Sequence, residues 1–133
     1  MNYILCVDDD PTALTIQTIL FKQLQFGSQT ITKRNGQEAL DYYEQIVNGA
    51  RAFVPDLIFL DLNMPILDGW GFLEIFNQKY YKQFPDSKVY ILSSSVDPSD
   101  KKNAELYPFV QSFISKPLTK ESISKIKEGK SPI

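Results

Sequence analysis

Five short runs of aliphatic, β-branched and aromatic residues punctuate the chain: YILCV (3–7), SQTIT (28–32), DLIFL (56–60), KVYIL (88–92) and QSFIS (111–115). Each reads as a strand, and the segments between them carry helical periodicity. Strands that alternate with helices predict an α/β fold, with a doubly wound five-stranded parallel sheet and helices on both faces. Right-handed crossovers bring the C-terminal end of every strand to one edge of that sheet. Ligands bind at that edge, where the strand order reverses.

The helix signals are specific. Asp10-Pro11 opens the first helix as cap and first helical residue, and Ala13, Ile16, Leu20 and Leu24 are expected to share its inward face. Asn35 and Glu38 form a capping-box pattern before a stripe of Ala39, Tyr43 and Ile46. Asp68-Gly69 opens a third helix with Phe72, Leu73, Phe76 and Tyr80 inward. Asp97-Pro98 opens a short fourth helix to about Leu106, whose only apolar residues are Ala104 and Leu106. The last helix runs from about Thr119, with Ile123 and Ile126 on one face, and stops at Gly129. Trp70 and the Tyr42-Tyr43 and Tyr80-Tyr81 pairs read as packing residues.

Several function classes are excluded early. The chain has no histidine, so histidine catalysis, histidine metal ligands and a phosphohistidine of its own are impossible. Its single cysteine, Cys6, allows no intramolecular disulfide and lies in an apolar run, as a small core residue does. A formal net charge of −2 argues for neither nucleic-acid nor membrane binding. The N-terminus turns acidic at once and no apolar run is long enough to span a bilayer, so neither a signal peptide nor a membrane helix is expected. A cytoplasmic setting is the simplest inference. At 133 residues the chain is expected to form one domain, with its core at about residues 3–129.

The strand ends carry the chemistry. The first runs into Asp8-Asp9, the third into Asp61, the fourth into Ser93-Ser94 and the fifth into Lys116-Pro117. In a parallel sheet these groups converge. Two carboxylates about 4 Å apart repel by roughly 4 kcal/mol at an effective dielectric near 20. Asp8, Asp9 and Asp61 together should raise a pKa or recruit a cation, since Lys116 balances only one charge. Oxygen ligands of this kind suit Mg²⁺, and a zinc site lacks its ligands. With the acids neutralised, a carboxylate can act as nucleophile toward phosphorus. Lys116 and Ser93 would then stabilise the charge on the transferring group.

The chain resembles a response-regulator receiver domain, the phosphoacceptor half of two-component signalling. The resemblance rests on "ILCVDDDP", "DLIFLDLNMPILDG", "YILSSS" and "FISKPL" in that order, and runs from about Tyr3 to Gly129. It implies a flavodoxin-like strand order of 2-1-3-4-5. It implies that Asp61 accepts the phosphoryl group and that Asp9, Asp8 (largely through water), Asp61 and the backbone carbonyl of Asn63 hold Mg²⁺. Ser93 would be the switch hydroxyl, Lys116 the lysine that pairs with the phosphoryl group, and Phe113 the aromatic switch residue. The Lys116-Pro117 bond would be cis, and Ser94 would leave a path for the phosphodonor.

Phe113 lacks the hydroxyl of the more common Tyr. Exposing such a ring costs roughly 1.5–3 kcal/mol, so Phe113 is expected to rest inward even before phosphorylation.

The implied activity is Mg²⁺-dependent phosphoryl transfer from the phosphohistidine of a sensor histidine kinase, or from a phosphotransfer protein, to Asp61. The self-catalysed gain and loss of phosphoryl would switch a face of the fourth helix, fifth strand and fifth helix toward a downstream protein. A monomer or weak homodimer is expected, either a stand-alone receiver or part of a longer regulator. One alternative is a phosphorylation-independent binding module. Another is a Mg²⁺-dependent aspartyl-phosphate phosphatase, which Asn63 disfavours because it stands where such enzymes carry a general acid.

Overall fold

The computed structural model describes residues 3–50, 52–94 and 97–132; Ser95 of the YILSSS motif lies outside them. Strands and helices alternate as β1 (Tyr3–Val7), α1 (Pro11–Gln23), β2 (Gln29–Lys33), α2 (Gly36–Val47) and β3 (Leu57–Asp61). They continue as α3 (Gly69–Lys79), β4 (Lys88–Ser93), α4 (Pro98–Ala104), β5 (Val110–Ser115) and α5 (Lys120–Lys127). All pairings are parallel, in the order β2-β1-β3-β4-β5. The sequence-based strand limits hold to within one residue.

Period-2 alternation divides the core into two layers. Leu5, Val7, Ile58, Leu60, Val89 and Ile91 pack against α2, α3 and α4. Ile4, Cys6, Phe59, Leu92 and Ile114 pack against α1 and α5. Cys6 is fully buried, and burial together with the charge of Asp8 pushes its thiol up, so it is core and not a reactive group. Between α2 and α3, Tyr43 sits among Phe76, Tyr80 and Phe84 as packing.

Four of the helix starts follow the sequence signals. Asp10, Asp68, Asp97 and Thr119 each cap the helix that follows them. At α2, Asn35 accepts from the Glu38 amide, but the Glu38 carboxylate reaches the amide of Arg34 rather than that of Asn35, so the box closes one residue early.

The inward face of α1 differs from the expectation. Leu14, Gln17 and Phe21 are buried, Leu20 and Leu24 are only partly so, and Ile16 is 54% exposed. Rotating the helix by about one residue seats the Phe21 ring against Phe26 and Phe59. A buried aromatic ring covers more apolar area than Ile16 would, and that outweighs burying Gln17, whose Oε1 has no hydrogen-bond partner among the described residues.

Candidate functional site

β1 and β3 position the acids. Val7 opposes Leu60, so Asp8, the next residue, comes alongside Asp61, the last of β3. The Asp8 amide donates to the Lys33 carbonyl at 3.0 Å and extends the ladder, while the Asp8 carboxylate accepts from the Asp10 amide at 3.0 Å. Asp8 and Asp61 are buried and Asp9 is exposed. One carboxylate oxygen from each of the three lies within 4.8 Å of the others. Lys116, one residue beyond β5, reaches across the sheet edge to Asp8 Oδ2 at 2.8 Å and Asp61 Oδ1 at 3.5 Å. The backbone places it there: its amide donates to the Ser93 carbonyl at 2.8 Å, and the Lys116-Pro117 bond is cis.

The remaining candidates surround this cluster unequally. Ser93 is buried at the end of β4, one residue past the Asp61–Leu92 pair. Asn63 is exposed at the rim, and its amide approaches Asp61 Oδ1 at 3.5 Å. Phe113 is buried in the core layer under α4, opposite Ile91. It rests inward, as expected, and belongs to the core rather than to the acid cluster. Ser94 is exposed.

Burial pushes the Asp61 carboxyl up, the charge of Asp8 adds to this, and the attraction of Lys116 and the Asn63 amide only partly offsets them. Burial pulls the Lys116 ammonium down, but the hydrogen bond and charge of Asp8 and the charge of Asp61 outweigh it, and its pKa is raised. Two carboxylate oxygens within 4.8 Å of each other repel by at least roughly 3.5 kcal/mol at a dielectric near 20. Three acids beside one half-buried lysine leave a negative pocket whose donors are all oxygen. That donor set fits a hard divalent ion such as Mg²⁺.

Gly69 lets α3 start against the end of β3. A Cβ there would lie 2.7 Å from the Asp61 carbonyl oxygen and 2.8 Å from Leu62 Cα, both backbone atoms. Close approach at this point keeps the loop after Asp61 folded onto the sheet edge, with the Gly69 amide donating to the Leu62 carbonyl at 2.9 Å.

Sequence reasoning missed Arg34. Its guanidinium donates twice to the Asp9 carbonyl, from Nε at 3.3 Å and Nη2 at 3.0 Å. The available signal was its place one residue past β2, at the same sheet edge as the acids and beside β1.

A family described as the response regulator receiver domain matches residues 4–127. No curated protein sequence matches the chain. Among solved structures, a two-component response regulator from Cytophaga hutchinsonii is 27% identical over 97% of this chain and 96% of its own, with a TM-score of 0.86. A response regulator receiver protein from Dyadobacter fermentans is also 27% identical, over 96% of this chain and 94% of its own, with a TM-score of 0.77. The chemotaxis protein CheY4 of Vibrio cholerae, crystallised at low pH, is 22% identical over 97% of this chain and 98% of its own, with a TM-score of 0.77, and shares the fold.

Proposed function

The chain belongs to the response regulator receiver family of two-component signalling, and from that premise we propose that Asp61 is the residue that takes the phosphoryl group. The reading rests on one observation above all: Asp8, Asp9 and Asp61 meet within 4.8 Å beside the Lys116 ammonium. Asp8, Asp9, Asp61 and the Asn63 carbonyl would hold Mg²⁺, which when bound shields the acids and the oxygens of the incoming phosphoryl group.

The chain's own residues do the rest. An Asp61 carboxylate oxygen attacks phosphorus, forming a P–O bond as the P–N bond of the donor phosphohistidine breaks and its electron pair returns to the imidazole. Lys116 turns its ammonium toward the charge that arrives on the phosphoryl oxygens. Ser93 donates its hydroxyl to the same group. Water later cleaves the acyl phosphate, returning phosphate and the Asp61 carboxylate. Asn63 supplies no acid for that step, which supports a signalling phosphoacceptor rather than a turnover phosphatase.

The output follows from Ser93 and Phe113. Drawing Ser93 toward phosphate vacates space beside β5, and Phe113 repacks into it. Phe113 lines a cleft of about 280 Å³ with Ala104 and Val110, between α4 and β5. A change there alters the face of α4, β5 and α5 that a downstream protein reads, by shifting populations rather than building a new fold. The donor is a cytoplasmic sensor kinase or phosphotransfer protein.

Incubation with acetyl phosphate and MgCl₂, followed by intact-mass measurement, tests the proposal. Wild type gains one phosphoryl group, and Asp61→Asn gains none. A gain that persists in Asp61→Asn identifies another acceptor. No gain in wild type indicates a phosphorylation-independent binding module.

A further inference from the structure

Lys116 contacts two of the three acids directly, at Asp8 and Asp61. Asp9 is the exception. Among the described residues its carboxylate makes no ion pair within 4.0 Å, and the residue is exposed in the connection between β1 and α1. Its place in the cluster therefore depends on the backbone of that connection. The Asp10 amide is tied to the Asp8 carboxylate at 3.0 Å, and Asp10 itself caps α1 through the Thr12 amide at 3.0 Å. The carbonyl of that same peptide, Asp9 C=O, is held from the other side by Arg34, with two donors.

Arg34 is itself well placed to hold. It sits one residue beyond β2, whose Lys33 carbonyl accepts from the Asp8 amide. Its own amide is held by the Glu38 carboxylate at 2.9 Å, within the cap of α2. The guanidinium thus links the end of β2 and the cap of α2 to the exposed Asp9–Asp10 peptide of the acid cluster. Two donors on one carbonyl restrain both the position and the rotation of that peptide.

We infer that Arg34 is a positioning residue that holds the Asp9 peptide so that the Asp9 carboxylate faces the cation held by Asp8 and Asp61. The inference rests on the cation-dependent phosphoacceptor reading. It has a distinctive sign. A cation beside three acids opposes Mg²⁺ by charge alone, so removing Arg34 should tighten Mg²⁺ binding unless its hold on Asp9 outweighs the repulsion. Here it does. The peptide is exposed, so losing two charge-assisted hydrogen bonds should weaken Mg²⁺ binding by about three- to tenfold.

The experiment is a titration of the full chain with MgCl₂ at constant ionic strength, followed by the amide resonances of Asp9, Asp10 and Asn63. Wild type, Arg34→Ala and Arg34→Lys are compared, with thermal unfolding of each to show that the variants remain folded. Arg34→Ala is expected to bind Mg²⁺ three- to tenfold more weakly, with the Asp9 and Asp10 resonances already displaced before metal is added. Arg34→Lys keeps the charge and one donor, and falls between the other two. Unchanged or tighter binding in Arg34→Ala overturns the inference while leaving the phosphoacceptor reading intact. So does a pattern in which Arg34→Lys equals wild type, because the paired guanidinium donors on the Asp9 carbonyl are then not what holds the peptide. If wild type neither binds Mg²⁺ at these residues nor accepts phosphoryl from acetyl phosphate, the underlying reading fails and takes this one with it.

Discussion

Replacing Lys116 with methionine keeps the side-chain length and removes the only cation that touches the buried carboxylates of Asp8 and Asp61 among the described residues. At an effective dielectric near 20, its contacts at 2.8 and 3.5 Å are worth roughly 6 and 5 kcal/mol before desolvation. Desolvation of the ammonium cancels most of that. Breaking one side of a buried pair costs about 3–5 kcal/mol, and the 24% exposure of the Lys116 side chain brings the expected loss to about 2–3 kcal/mol.

Urea unfolding at pH 7 in chelator measures that loss, and two further conditions identify its origin. Asp61 has its folded pKa raised, so the fold tolerates the protonated form best. The penalty on its carboxylate is carried above that raised value and relieved as pH falls through it. The deficit of Lys116→Met therefore shrinks on acidification. Lys116 also has a raised folded pKa, so its contribution is complete below the ordinary lysine value of 10.5 and is lost only as pH rises through the folded value. Excess Mg²⁺ should stabilise Lys116→Met more than wild type, because the ammonium no longer occupies the carboxylate oxygens. A loss below about 0.5 kcal/mol, the scatter of ordinary surface substitutions, would refute this account. So would weaker stabilisation by Mg²⁺ in the variant.

Other outcomes follow from single contacts. Gly69→Ala forces a Cβ against the Asp61 and Leu62 backbone; it should cost about 1–3 kcal/mol in denaturant unfolding and slow labelling by acetyl phosphate. Ile66 is 82% exposed with φ of 70°, and its β-branched side chain is strained there. Ile66→Gly should raise stability by about 1 kcal/mol, a few degrees in Tm, without changing labelling. Tyr80 donates to Glu44, and burial followed by that acid pushes its phenol from 10.0 up to about 12. Its contribution is complete below pH 10 and lost as pH rises through about 12, so Tyr80→Phe should lose about 1.5 kcal/mol at neutral pH and show a shallower alkaline decline between those values.

Much of the site was legible because its signals are local. An acid that terminates an apolar strand stands out at Asp61, and Asp8-Asp9 and Lys116-Pro117 do so at their own strand ends. The helix openings at Asp10, Asn35, Asp68 and Asp97 were equally readable, since a cap depends on three or four consecutive residues. The face of α1 was not. Ile16 and Phe21 both offer apolar surface at helical spacing, and only the shape of the layer formed by Phe26 and Phe59 decides which is buried.

Alternation of strands and helices, the chemistry at each strand end and the start of each helix were settled by the order of residues along the chain. Tertiary structure decided which of those groups touch. Lys116 lies closer to Asp8, 108 residues away, than to Asp61. A bulge between β4 and β5 keeps Phe113 in register with Ile91 and under α4. Arg34 crosses from one strand end to grip the Asp9 peptide on another. Periodicity and capping are short-range properties of the backbone, whereas these distances come from the register of separate strands and the close packing of a shared core, which no local pattern encodes.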